Sequence, residues 1–353
     1  MTQFLGMLGA IGLTALCWGV YGPVLHEGQS LMGSRLRPFA CVGMAYFLIA
    51  VIVPVLLLTR GRDKGAWTLP GIVWSLLAGV CGALGALGVI LALAAGGRPI
   101  YVMPLVFGGA PVVNTLLSAF LNRSFGEIKA PFLAGLLLVI TGAVTVLIFK
   151  PQPPAHDAPA AVATANEATP TVAETKPDAT AAVGVTAKVE RGAERFIEVL
   201  LGIALTIACW GAYGPVLHRG QAAMQGSRLR PLLCIGLAYF LIAVLVPLAA
   251  MTPLGDTGSW TFSGVVWSLM AGSLGAIGAL GTVLAFTYGG KPFTVMPVVF
   301  GLAPVINTLT SCLLQGVPLK DVSPFFLAGL LIVGVGAATV LFFGPRGHAL
   351  KPA

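Results

Sequence analysis

Trp18–Gln29 reads WGVYGPVLHEGQ and Trp210–Gln221 reads WGAYGPVLHRGQ, identical at ten of twelve positions. The likeness continues along the chain. GSRLRP stands at 33–38 and 226–231, and AYFLIAV at 45–51 and 238–244. VMPLVFGGAPVVNTLLS at 102–118 is answered by VMPVVFGLAPVINTLTS at 295–311. The offset is 192, then 193 after one inserted residue, then 194 near the last apolar run. Residues 1–150 and 196–345 are therefore two copies of one unit, followed by a short tail at 346–353. Whatever the first copy folds into, the second must fold into as well.

Each copy holds five apolar runs, at 4–25, 37–59, 70–96, 99–121 and 131–149, then at 197–218, 231–252, 261–288, 292–314 and 324–343. A helix that crosses a bilayer needs about 20 apolar residues. Composition decides between that reading and a buried core. Only 9% of the 353 residues are charged and 57% are hydrophobic, whereas a soluble domain carries roughly 25% charge. In water such a surface would aggregate, but in lipid it is the natural exterior. The expected fold is an all-α integral membrane protein with ten transmembrane helices. The opening MTQFLGMLGAIGLTALCWG has the look of a signal peptide, but its pattern returns at 196–211, so it is read as a retained first helix.

Between the copies lies 151–195, rich in Ala, Pro and Thr and free of aromatic residues. It lacks the apolar surface to fold and is expected to be a disordered linker. Five spans per copy is an odd number, so the second copy enters the membrane from the opposite face if the linker does not cross. Equal sequence with opposite direction is an inverted repeat, a plan shared by many transporters. The loops and tail on the side of the termini carry eleven Lys and Arg residues. The other side has Arg35, Arg37, Arg98 and Lys320, with five more in the linker and at its border. The bias places both termini in the cytoplasm and the linker outside, in the cell (inner) membrane.

Several function classes drop out. The net charge of +8 is scattered in ones and twos, without a basic run interleaved with aromatics, so nucleic acid is not an expected partner. The six cysteines lie inside apolar runs with no CxxC spacing, which makes them small packing hydrophobes and neither metal ligands nor disulfides. No phosphate-binding glycine loop, HExxH or nucleophile elbow occurs, so no enzyme activity and no cofactor are expected. The expected partners are the bilayer and a small-molecule solute, and the plan leaves room for a homodimer.

Polar side chains inside the runs are the candidate site. Trp18 and Tyr21 share a face of helix 1, as do Trp210 and Tyr213, and suit the wall of a solute cavity or simple packing. Helix 4 carries Pro104 and Pro111, then Asn114 and Thr115; its copy carries Pro297, Pro304, Asn307 and Thr308. Each proline frees a backbone carbonyl, which predicts a bent or broken helix beside a cavity. The two asparagines either hydrogen-bond solute or tie to neighbouring backbone. His26 and His218 end helix 1 and its copy and are candidates for proton coupling. Helix 3 repeats glycine at 79, 82, 85 and 88, copied at 272, 275, 278 and 281, as close helix packing requires. No Asp or Glu falls near the centre of a span, which favours a neutral or zwitterionic solute.

Cys-Trp-Gly at 17–19 and 209–211, Pro38 and Pro231 opening helix 2, and PVVNTLLSAFLNRSFGEIKAPFLAGLLLVITGAV at 111–144 complete a familiar arrangement. The chain resembles the EamA-like, ten-helix branch of the drug/metabolite transporter superfamily over nearly its whole length, the linker excepted. Glu127 and Lys320-Asp321 stand at the family's acidic loop position. The resemblance implies two inverted five-helix bundles around a central solute cavity that opens alternately to either side. Where the family often has a basic residue in helix 2, this chain has Ala45-Tyr46 and Ala238-Tyr239, a departure that weighs against anionic or amino-acid-like substrates. The expected function is a secondary transporter or facilitator of a small polar metabolite; the alternative is a non-transporting membrane scaffold or sensor that uses the linker.

Overall fold

The computed structural model describes residues 2–61, 63–123, 126, 128–149, 151, 179–314, 316 and 318–343. Among them the chain forms ten long helices and no strand. In the first half these are α1 (Thr2–Met32), α2 (Leu36–Thr59), α3 (Leu69–Ala94), α4 (Pro99–Leu121) and α5 (Ala130–Ile148). In the second they are α6 (Ala179–Ala223), α7 (Leu229–Ala250), α8 (Phe262–Thr287), α9 (Pro292–Leu314) and α10 (Pro324–Phe343). Among the described residues eight helices are long and apolar enough to cross a membrane, and shorter apolar stretches lie in α9 and α10. Large aliphatic and aromatic side chains such as Leu137, Leu201 and Leu331 are exposed on the outer faces, as lipid contact demands. The protein is a multi-pass, membrane-embedded helical protein.

Three local departures from expectation have physical causes. First, α6 starts at Ala179, so the last part of 151–195 is helical and not a disordered linker. Its Ala-rich run, which includes Gly184 and Gly192, lacks proline after Pro177, so no residue there removes a helical hydrogen bond. The linker's 152–178, Glu127 and the tail at 346–353 lie outside the described residues. Second, α4 runs unbroken through Pro104 and Pro111, and α9 is continuous through its copy of that segment. Of the two forms expected for helix 4, bent or broken, the broken one is absent. Third, α2 and α7 contain π-helical turns at Leu48–Ile52 and Phe240–Leu245, just before Pro54 and Pro247. A wider turn there relieves the clash of each proline ring with the carbonyl one turn earlier.

The two halves interlock rather than sit side by side. α3 packs on α6, and α8 packs on α1, through the repeated glycines. A Cβ on Gly88 would lie 2.5 Å from Thr206 Oγ1, and one on Gly281 would lie 2.4 Å from Thr14 Oγ1. Those hydroxyls donate across the same seams, Thr206 to the Gly85 carbonyl at 3.0 Å and Thr14 to the Gly278 carbonyl at 3.2 Å. Thr68 and Thr261 cap α3 and α8 by accepting from the amides of Gly71 and Gly264. Each also donates to a last-turn carbonyl of the other half's first helix, at Ala223 and Leu31. One hydroxyl thus satisfies two helix ends.

Contacts recur in pairs related by the sequence offset, and the paired helices run in opposite directions. In α2 and α7, Gly43 meets Val244 while Gly236 meets Val51. In α5 and α10, Gly135 meets Val340 while Gly329 meets Val146. Matched clasps close the ends. Arg37 pairs with Asp256 at 2.7 Å and lies over the Trp260 ring; Arg230 pairs with Asp63 at 3.0 Å and lies over Trp67. Ser34 donates to Asp256 at 2.8 Å, and Ser227 donates to Asp63.

Candidate functional site

The Trp-x-x-Tyr faces of α1 and α6 meet through their rings. Trp18 packs edge-on against Tyr213 with centroids 6.0 Å apart, and Tyr21 against Trp210 at 5.9 Å. Each indole is pinned from behind. Trp18 Nε1 donates to the Gly275 carbonyl at 3.4 Å and Trp210 Nε1 to the Gly82 carbonyl at 3.2 Å. The close approach needs glycine in α3 and α8, since a Cβ on Gly85 would lie 2.1 Å from Trp210 Cδ1 and one on Gly278 2.3 Å from Trp18 Nε1. From α2 and α7, Tyr46 and Tyr239 stack face to face at 3.6 Å with their planes 2° apart.

These six rings, with Gly82 and Gly275, enclose a chamber between the halves. Its volume is about 30 Å³, room for about two waters. No charged side chain lines it. The hydroxyls of Tyr21 and Tyr213 are buried there without a hydrogen-bond partner. An unpaired buried hydroxyl costs about 1–3 kcal/mol, so two of them leave unmet hydrogen-bonding capacity at one chamber wall.

The structure brings Trp18, Tyr21, Trp210 and Tyr213 together and keeps the helix-4 candidates out of the lining. Asn307 is buried and its Nδ2 donates to the Pro99 carbonyl at 2.9 Å, a tie to the start of α4. Asn114 is equally buried, lies beside Gly214 of α6, and its Nδ2 has no partner. Thr308 donates to the Pro304 carbonyl in its own helix at 2.9 Å, and Thr115 is buried. Phe107 and Phe300, 6.1 Å apart, form a layer between α4 and α9, and Phe107 lies 6.2 Å from Trp210. Pro104, Pro111 and Pro304 belong to unbroken helix; the side chain of Pro297 lies outside the described residues.

His26 borders a second cavity at one end of the molecule, and the His218 ring meets Phe286 edge-on at 5.5 Å. Neither histidine reaches the aromatic chamber. Tyr46 and Tyr239 are the lining residues that pattern reasoning passed over. Their signal was present, as a tyrosine held at the same place inside two apolar runs.

No family model matches the chain, and no curated protein matches it either.

Proposed function

We propose that the chain is a secondary transporter or facilitator of a small polar metabolite, working by alternating access around the aromatic chamber. In this reading it is an EamA-like member of the drug/metabolite transporter superfamily. Its ten helices cross the cell membrane as two inverted repeats, with both termini in the cytoplasm and 151–195 outside. The observation that carries the reading is the chamber itself, charge-free and midway between the halves, with two buried tyrosine hydroxyls left unpaired. The paired contacts and opposite helix directions support it, because an inverted repeat can exchange the roles of its halves and so open either mouth with one set of interactions. The small chamber volume corresponds to a closed state, and a metabolite requires the aromatic walls to part.

The test is flux into liposomes containing the purified chain, run over a panel of sugars, polyols, amino acids and ureides. We expect saturable uptake of at least one compound. Tyr21→Phe and Tyr213→Phe each remove one hydroxyl and nothing else, so flux falls about tenfold while thermal stability holds. A well-folded protein that moves no compound of the panel overturns the proposal in favour of a scaffold or sensor.

A further inference from the structure

His26, Gln29, Ser30, Arg35, Leu93 and Ala94 border a cavity of about 250 Å³ between the last turns of α1 and α3. Trp18 precedes His26 by eight residues on α1, about 12 Å along the helix, so this vestibule is distinct from the aromatic chamber. Its walls are a place where the two copies part. His26, Gln29 and Arg35 recur as His218, Gln221 and Arg228, but Ser30 becomes Ala222, Leu93 becomes Phe286 and Ala94 becomes Thr287. At the second end the Phe286 ring lies edge-on to His218 at 5.5 Å, and Thr287 Oγ1 accepts from Gln221 Nε2 at 3.1 Å. Those two larger side chains take the space that Leu93 and Ala94 leave beside His26 and Gln29. The duplicated frame thus keeps room at the first end, with a wall hydroxyl on Ser30 that its copy lacks.

The polar atoms of the wall define the guest. Gln29 is 6% exposed, and its Nε2 donates to the Ile90 carbonyl at 2.9 Å. A carbonyl can only accept, so this bond fixes the amide and leaves Oε1 as a buried acceptor without a partner. An unmet acceptor calls for a donor, and a hydroxyl supplies one. An oxyanion does not fit, because its oxygens bring more lone pairs and the C-terminal ends of α1 and α3 add partial negative charge. A compact cation finds no carboxylate in the lining among the described residues, and it meets the Arg35 guanidinium at the rim. A neutral hydroxylated solute suits every wall group, since a hydroxyl can donate to Gln29 and accept from Ser30 or Arg35.

We infer that this vestibule binds a small neutral polyol or sugar, through a hydroxyl donated to Gln29 Oε1 and further hydroxyls that accept from Ser30 and Arg35. The site is built at one end of the molecule only. Binding here stands on the cavity and its walls; that it serves as the outer entry point to the chamber rests on the function and orientation proposed above.

The experiment places the full chain in phosphatidylcholine nanodiscs, which carry no sugar headgroup, and measures binding of radiolabelled mannitol, glucose and glycerol by equilibrium dialysis. Saturation near one solute per chain is expected for at least one of the three, displaced by unlabelled polyol and not by lactate or tetramethylammonium. Gln29→Leu should weaken binding about tenfold. Leu93→Phe combined with Ala94→Thr copies the second end into the first and should abolish binding, whereas the exposed-loop change Arg60→Gln should alter nothing. If Gln29→Leu fails to fold, the double variant decides the matter, because its side chains already pack beside a histidine and a glutamine at the other end. Absence of saturable binding by all three solutes, binding that survives the double variant, or displacement by lactate or tetramethylammonium overturns the inference. Saturable polyol binding by a chain that moves no solute into liposomes would retain the vestibule and remove the transport reading alone.

Discussion

At the scale of single residues, the aromatic chamber depends on what glycine leaves out. Gly85 and Gly278 let the indoles of Trp210 and Trp18 lie against α3 and α8, and their added Cβ atoms would meet backbone-pinned rings rather than flexible chain ends. Gly85→Ala must therefore move Trp210 toward the chamber and loosen its bond to the Gly82 carbonyl. We expect a loss of about 1–3 kcal/mol, read as a lower unfolding temperature together with a shifted tryptophan emission. Gly9→Ala is the control: nothing stands within 4 Å of its added Cβ, and alanine is the better helix former. If both variants behave alike, steric pinning of the indole is refuted. Residue spacing made part of this wall legible, since Trp18 and Tyr21 are three apart and must share a face. Tyr46 was not legible as a wall, because an apolar run on every side of a helix gives no sign of which face turns inward. Asn307 left two readings open in sequence, solute or neighbouring backbone. A buried amide in a span needs a partner, but only the fold shows that the Pro99 carbonyl supplies it.

At the scale of elements, the short clasps carry more than their length suggests. Asp63 sits in the connection between α2 and α3, yet it holds Arg230 and Ser227 at the start of α7. Its side chain is 4% exposed, so removing one partner strands a buried charge and costs about 3 kcal/mol. Asp63→Ala should lower the unfolding temperature markedly, while Asp63→Ala combined with Arg230→Ala should cost less than the two single changes added together. Strict additivity would mean that the pair contributes nothing as a pair. In sequence these arginines count only as markers of membrane side, and Asp63 and Asp256 look like ordinary loop acids. Their pairing joins residues more than 160 positions apart, which no local pattern encodes. Helix positions, by contrast, were written plainly in the apolar runs. The exceptions are the start of α6, where a weakly apolar but unbroken stretch extends the helix, and the π-helical turns of α2 and α7.

At the scale of the whole molecule, the duplication read from sequence implies two modules, but the packing does not respect that division. The third helix of each half lies against the first helix of the other, and the chamber takes half of its rings from each copy. A single half would expose its glycine grooves to lipid and leave Thr14 or Thr206 without the cross-half carbonyl that accepts its bond. Neither half should therefore be stable alone, whereas the covalent link between them should be dispensable once both are present. Expressing 1–165 and 166–353 as separate chains in one cell tests this. Affinity capture of a tag on the first fragment should recover the second in equal amount, with an unfolding temperature close to that of the intact chain. Either fragment expressed by itself should be degraded or should aggregate on extraction. Two fragments that each purify as monodisperse, cooperatively melting proteins would show that the halves are self-sufficient modules. The cross-half glycine seams would then be incidental to folding, and an exchange of roles between halves would lose its physical basis.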